Sequence, residues 1–334
     1  MRKEGGFAAG IDDIMKAAQL ASCLEVSGYP KPGNVHRLRD FKDTRFEHFL
    51  AGSIALGPPV REAAIRGVEI GFGELDLSEA GIGVLIRKAV SEVKKWHRGG
   101  NTHLGISLLF IPLAVSAGVC MARRSIDKNC LQKFFGEVVE ATTCRDTVEF
   151  YKAVKIAEPG GLGRVRGVGA PDVYERGAES VILEKGLTLY EVMKIASSWD
   201  LVAWEFVNRL EDAFKIGYPF FEKVYKDTGD VNIAVVHTFL KLLSEKTDTL
   251  IARKIGLKKT SNVAEAVKIG LEKAAKYSLE ARRVLELGGL KTREGRKALR
   301  KMDEELAAKN LNPGSTADVL AATLFIALLT GFRP

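Results

Sequence analysis

Glutamine is nearly missing from this chain, with Gln19 and Gln132 alone among 334 residues, and cysteine is scarce at four. Few glutamines beside abundant Lys and Glu point to a heat-adapted source. Cys23, Cys120, Cys130 and Cys144 lie far apart with no C-x-x-C pair, so a dense disulfide framework is excluded. A reduced, cytoplasmic protein is the expectation. No segment alternates polar and apolar residues in the manner of a half-buried strand. The Gly-Lys of a phosphate-binding P-loop, the G-x-G-x-x-G of a dinucleotide fold, the H-E-x-x-H of a zinc hydrolase and the G-x-S-x-G elbow of an esterase are also absent. Residues 1–6 lead into an amphipathic segment, with no apolar run of the signal-peptide kind.

What is present is helical periodicity over almost the whole length, with 46% hydrophobic and 28% charged residues. The pattern predicts an all-α fold, a single compact domain over 1–334, with helices near 11–26, 81–96, 127–141, 146–156, 201–215, 231–243, 262–287, 292–308 and 315–329. Thr44-x-x-Glu47 reads as a capping box opening a second helix that Gly57-Pro58-Pro59 ends, and Thr188-x-x-Glu191 as another. Leu104–Ala122 is uncharged and long enough to span a bilayer. Ser107, Pro112 and Ser116 interrupt it, and its neighbours are amphipathic, so it is expected as a buried central helix. No membrane association is expected.

The charge has an address. Lys and Arg number 50 against 42 Asp and Glu, and the excess of eight falls within 253–309, where 16 basic residues face 8 acidic ones. A basic face suits a polyanion such as a nucleotide, a coenzyme A-like molecule or RNA.

Polar residues gather at helix junctions. Lys31-Pro32-Gly33-Asn34-Val35-His36-Arg37, with Asp40 behind it, combines a tight backbone with phosphate donors. Gly99-Gly100-Asn101-Thr102-His103 opens the most apolar helix, where unpaired N–H groups favour anions and His103 could serve as general base. The loop 158–172 holds Gly160, Gly161, Gly163, Gly167 and Gly169 around Arg164 and Arg166, a possible clamp over phosphates. Asp248 and Arg253 could face one cavity. In Asn312-Pro313-Gly314-Ser315-Thr316-Ala317-Asp318, Ser315 reads as an N-cap with Asp318 at N3, while Asp318 could equally hold a divalent metal.

In this order, Lys31-Pro-Gly-Asn-Val, Asn101-Thr-His-x-Gly105, the 160–169 loop, Asp248-Thr249…Arg253 and Asn312-Pro-Gly-Ser-Thr-Ala-Asp318 resemble the triphosphoribosyl-dephospho-coenzyme A synthases, from about residue 18 to 329. The resemblance implies an all-helical transferase that moves the triphosphoribosyl group of ATP to 3′-dephospho-coenzyme A and releases adenine. Its product is the precursor of a lyase carrier-protein prosthetic group. Asn34-Val35-His36 stands where the bacterial enzymes usually have Leu-Val-Asp, residues 39–44 do not reproduce their Gly-Ala-His-x-Asp-Met segment, and Leu104 replaces their Lys.

Such chemistry passes through an oxocarbenium-like state and needs a base, a donor for departing adenine and cations for the triphosphate. His103 and Asp318 are the expected catalytic residues. Lys31, Gly33, Asn34, Arg37, Asn101, Gly161, Gly163, Arg164, Arg166, Arg253, Asn312, Gly314 and Ser315 are expected to hold nucleotide and phosphate. Asp40, Asp248 and Asp318 are expected to hold Mg²⁺, which the triphosphate's charge calls for. Lys31, Asn101, His103, Arg166, Asp248 and Asp318 should then line one cleft. Two alternatives are a same-fold transferase with another acceptor and a non-catalytic nucleotide- or RNA-binding protein; the oligomeric state stays open.

Overall fold

Helix propensity and capping resolve the chain into sixteen α-helices and no strand among the described residues, which in this computed structural model are 10–160, 163–165 and 167–334. In order they are α1 (Ile11–Ser27), α2 (Phe46–Ala55), α3 (Gly57–Phe72), α4 (Ile82–Trp96), α5 (Leu104–Ala122), α6 (Lys128–Glu140), α7 (Cys144–Ala157), α8 (Ala178–Lys185), α9 (Leu189–Ala196), α10 (Leu201–Val207), α11 (Tyr218–Thr228), α12 (Val231–Glu245), α13 (Thr249–Gly256), α14 (Val263–Glu286), α15 (Arg293–Ala308) and α16 (Gly314–Leu329).

The two most apolar helices, α5 and α16, form the centre. Every residue from Ile106 to Cys120 is buried, and the Phe110 and Phe325 rings meet at 4.7 Å between centroids. Each large apolar side chain so enclosed contributes about 1.5–3 kcal/mol. The polar interruptions of α5 fit this position: Ser116 Oγ donates to the Leu131 carbonyl at 2.7 Å. Helices α1, α3, α4 and α6 pack around α5, and α1, α10, α12 and α13 against α16, so one continuous core holds the domain together.

Three expectations are corrected. The Thr44–Glu47 capping box does not form; α2 starts one residue later than that box requires, with Asp40 Oδ1 accepting from Phe46 N at 2.8 Å and His48 Nδ1 from Arg45 N at 3.1 Å. Gly57-Pro58-Pro59 opens α3 rather than ending α2, because proline is tolerated in a first helical turn, where N–H groups lack partners anyway. Cys120 and Cys130 are joined in a disulfide, which ties the end of α5 to the start of α6; Cys23 and Cys144 are free.

Candidate active site

The N-termini of α5 and α16 point toward a cavity of about 300 Å³, closed by the end of α1, by α7, α9, α10 and α13, and by the loop after α7. Its floor is polar, built from Glu25, Lys31, Asn34, Asn101, Asp200, Arg253, Asn312, Ser315 and Asp318. Its wall is apolar, with Phe150, Val154, Val192, Met193 and Trp199 prominent. Gly163, Val165 and Asp172 bring the glycine-rich loop to the rim.

Asp318 is the exceptional group on the floor. Its carboxylate is open to the cavity, is enclosed by protein, and has no hydrogen-bond partner among the described residues. Desolvation, followed by the nearby charges of Glu25, Asp200 and Asp248, pushes its pKa well above the usual carboxylate range, while Lys31 pulls the other way. Gly105 makes this packing possible, since a Cβ there would lie 2.2 Å from Asp318 Oδ2. Beside it, Lys31 Nζ donates to the Glu25 carboxylate and, at 2.6 Å, to the Glu25 carbonyl. Burial pushes Glu25 up and Lys31 down, and their mutual attraction resists both shifts.

Asp248 looks similar in sequence and behaves differently. Oδ1 accepts from Leu250 N at 2.9 Å and Ile251 N at 3.0 Å, capping α13. Oδ2 accepts from Thr316 N at 2.7 Å and Thr316 Oγ1 at 2.8 Å, capping α16. One buried carboxylate thus fixes two helix starts and has no oxygen left for a metal. It also takes the role expected of Ser315, whose Oγ instead meets Thr249 Oγ1 at 3.3 Å.

The structure brings Lys31, Asn34, Asn101, Gly163, Arg253, Asn312, Gly314, Ser315 and Asp318 to the cavity. Lys31 reaches it already paired, so it is not the free phosphate donor expected. Arg253 comes nearer that role: its Nη1 is 3.9 Å from Asp200 Oδ2, and its buried Nε has no partner. Gly33 lies outside the lining and serves the loop itself, with φ +72° and its N–H donating to Asp303 Oδ1 at 3.0 Å. Arg37 is exposed and donates to the Ser27 carbonyl. Arg164 is drawn to Asp172 at 3.2 Å, beside the cavity rather than in it. Asp40 caps α2. The three expected Mg²⁺ carboxylates therefore do not converge, and no group of three or more metal-ligating acidic, His or Cys side chains exists among the described residues. Gly161 and Arg166 lie outside the described residues.

His103 is the largest correction. It is buried, absent from the cavity lining, and turned toward Ser22 and Ser53 of α1 and α2 at 3.0 and 3.3 Å. Burial lowers its pKa to about 3, so it is neutral as expected, but it sits behind the cavity floor. Sequence reasoning also missed Glu25, Asp200 and Trp199. Asp200 carries a visible signal: its Oδ1 caps α10, accepting from Val202 N at 2.9 Å.

A family model described as ATP:dephospho-CoA triphosphoribosyl transferase matches residues 11–333. The 2-(5″-triphosphoribosyl)-3′-dephosphocoenzyme-A synthase of Klebsiella pneumoniae is 25% identical over 320 residues, covering 94% of this chain and 90% of that one. The synthase of the same name from Escherichia fergusonii is 32% identical over 111 residues, about a third of each chain. A crystal structure assigned to a triphosphoribosyl-dephospho-CoA synthase from Archaeoglobus fulgidus superposes with a TM-score of 0.56 at 25% identity, over 86% of this chain and 100% of the other.

Proposed function

Because the chain belongs to the ATP:dephospho-CoA triphosphoribosyl transferase family, we propose that the cavity between α5 and α16 is where the triphosphoribosyl group changes hands, with Asp318 as its acid and Glu25 as its base. The observation that carries this reading is the unpartnered Asp318 carboxylate, enclosed by protein and open to the cavity. Breaking the bond between adenine and C1′ leaves the electron pair on the base, which departs more readily if a ring nitrogen takes a proton. A carboxyl group kept neutral by burial and neighbouring charge can donate it. The acceptor hydroxyl forms the new C1′–O bond and gives its proton to the Glu25 carboxylate, which Lys31 favours in its charged form. The two carboxyl groups then return to their starting states by exchange with solvent. Two carboxyl groups in contrasting surroundings are the usual means of glycosidic chemistry.

Acidic residues outnumber basic ones on the floor and rim, Glu25, Asp172, Asp200 and Asp318 against Lys31 and Arg253. Such a lining suits a triphosphate that arrives with Mg²⁺. The ion binds oxygen, keeps much of its water and typically uses one or two carboxylates plus phosphates. Asp200 would meet it and Arg253 would hold a phosphate, leaving Asp318 to the base; when bound, the ion neutralises the triphosphate. The flat apolar wall around Trp199 and Met193 suits adenine. The enclosure of α5 by other helices supports reading it as a core helix, and we place the protein in the cytoplasm, without membrane attachment. RNA binding by the basic 253–309 region is not favoured, given the family match over nearly the whole chain.

The test is chromatography of adenine after incubation with ATP, Mg²⁺ and dephospho-coenzyme A. Asp318→Asn should lower release by about 10²–10⁴-fold. Undiminished release from folded Asp318→Asn protein would remove Asp318 from the chemistry, and a different acceptor in the product would change the second substrate alone.

A further inference from the structure

The Asn101-Thr102-His103 segment is held from behind by a run of hydrogen bonds whose direction can be assigned bond by bond. Gly99 N donates to His97 Nδ1 at 3.1 Å, so that nitrogen carries no proton and Nε2 does. His97 Nε2 therefore donates to Thr102 Oγ1 at 3.0 Å. The Thr102 hydroxyl is left to donate to His103 Nδ1 at 2.7 Å, which puts the second proton on His103 Nε2. That N–H is shared between Ser22 Oγ at 3.0 Å and Ser53 Oγ at 3.3 Å. Ser53 donates to the Phe49 carbonyl at 2.7 Å, so the 2.7 Å contact between the serines is donated by Ser22. Every proton has a place, and all run from α4 through the α5 start into α1 and α2. Gly52 leaves room for the imidazole, since a Cβ there would lie 2.4 Å from His103 Cε1.

Resting on the transferase reading above, we propose that His97 and His103 are positioning residues: through this one-way chain they fix the cavity-lining Asn101 and Thr102, and they carry no proton for the reaction. A base would need a vacant nitrogen facing the substrate. His103 has none, since Nδ1 accepts from Thr102 and Nε2 donates away from the cavity. The titratable groups around the chain are His48, stacked on His97 at 5.3 Å, Lys94 near His97, and Cys23 beside Ser53. Burial is the first cause that pushes both imidazoles toward the neutral form.

The test combines structure and kinetics on the full chain. Long-range ¹H–¹⁵N correlation on histidine-labelled protein at neutral pH should show His97 and His103 both as Nε2–H tautomers; an Nδ1–H tautomer in either overturns the chain. This arm does not depend on the reaction, so it holds or fails even if adenine release is never seen, which would count against the transferase reading alone. Thr102→Val, which cuts the middle link, should lower kcat for adenine release by roughly tenfold to a hundredfold through misplacement while the KM for ATP stays near wild type, and Thr102→Ser should restore it. His103→Asn, which keeps an acceptor for Thr102, should retain release within about tenfold of wild type with an unchanged pH profile, whereas loss of a general base costs about 10²–10⁴-fold. Loss of one limb of the profile in folded His103→Asn protein, or wild-type kcat in folded Thr102→Val protein, overturns the proposal.

Discussion

The two helix starts that face the cavity are built on opposite principles. The start of α5 is held by neutral groups, imidazoles and hydroxyls, in which each proton is already committed. The start of α16 is held by a carboxylate, Asp248, and presents a second, Asp318, with nothing bonded to it. Neutral networks orient a backbone without drawing charge into the core, whereas a buried carboxylate is costly unless its oxygens are satisfied. The contrast between Asp248, buried and fully bonded, and Asp318, which lines the cavity with no bond, separates architecture from chemistry within a single junction.

The sharpest way to break this comparison is at the unbonded carboxylate. Asp318→Asn should cost about 10²–10⁴-fold in adenine release and yet raise the melting temperature at neutral pH. The sign follows from linkage. Asp318 has a folded-state pKa above its ordinary 3.8, so the native protein holds a proton that the unfolded chain has lost, and stability falls as pH rises above that value. Asn removes this loss. A lower melting point at neutral pH would show that Asp318 is structural.

Asp248→Ala should do the reverse. It removes the caps of α13 and α16 together, at about 0.5–2 kcal/mol each, and is expected to lower stability in denaturant titrations by the combined amount. A change in activity without a change in stability would contradict the capping role.

Reducing the Cys120–Cys130 bond touches neither helix start and serves as the control. Closing this short loop contributes roughly 3 kcal/mol in the chain-entropy account, so thermal unfolding with reductant should begin earlier while turnover at low temperature stays unchanged.

The smallest effect belongs to the neutral side. His103 has a folded pKa of about 3 against 6.5 unfolded, so its contribution is intact at neutral pH and is lost as pH falls below 6.5. The loss should reach about 2 kcal/mol at pH 5, and His103→Asn should flatten that part of the stability curve.

Most of the site was legible because polar residues at the starts of apolar helices have few reasons to be there. Asn101, Asn312 and Asp318 were found in this way, although more than 200 positions separate the first from the last. The all-α fold was legible from periodicity, and so was the burial of α5. Side-chain direction was not. His103 follows Thr102 directly and shares a hydrogen bond with it, yet only Thr102 lines the cavity, and nothing in their order says which one does. Glu25 sits inside α1, where a lone acid reads as a solvated face. The second helix that Asp248 caps begins more than sixty residues later, so its double bond set is invisible to local patterns. Helix α3 was hidden because Gly-Pro-Pro ends one helix as readily as it begins another.

The place of α16 also bears on biosynthesis. Among the described elements it is made last, yet it supplies Asp318 and covers one side of α5, whose turns are apolar all round. A nascent chain therefore carries α5 with one side uncovered through much of its synthesis, and the floor of the cavity is incomplete until α16 docks beside α1. In the cell, the interval between those two events is when this protein most needs protection from aggregation.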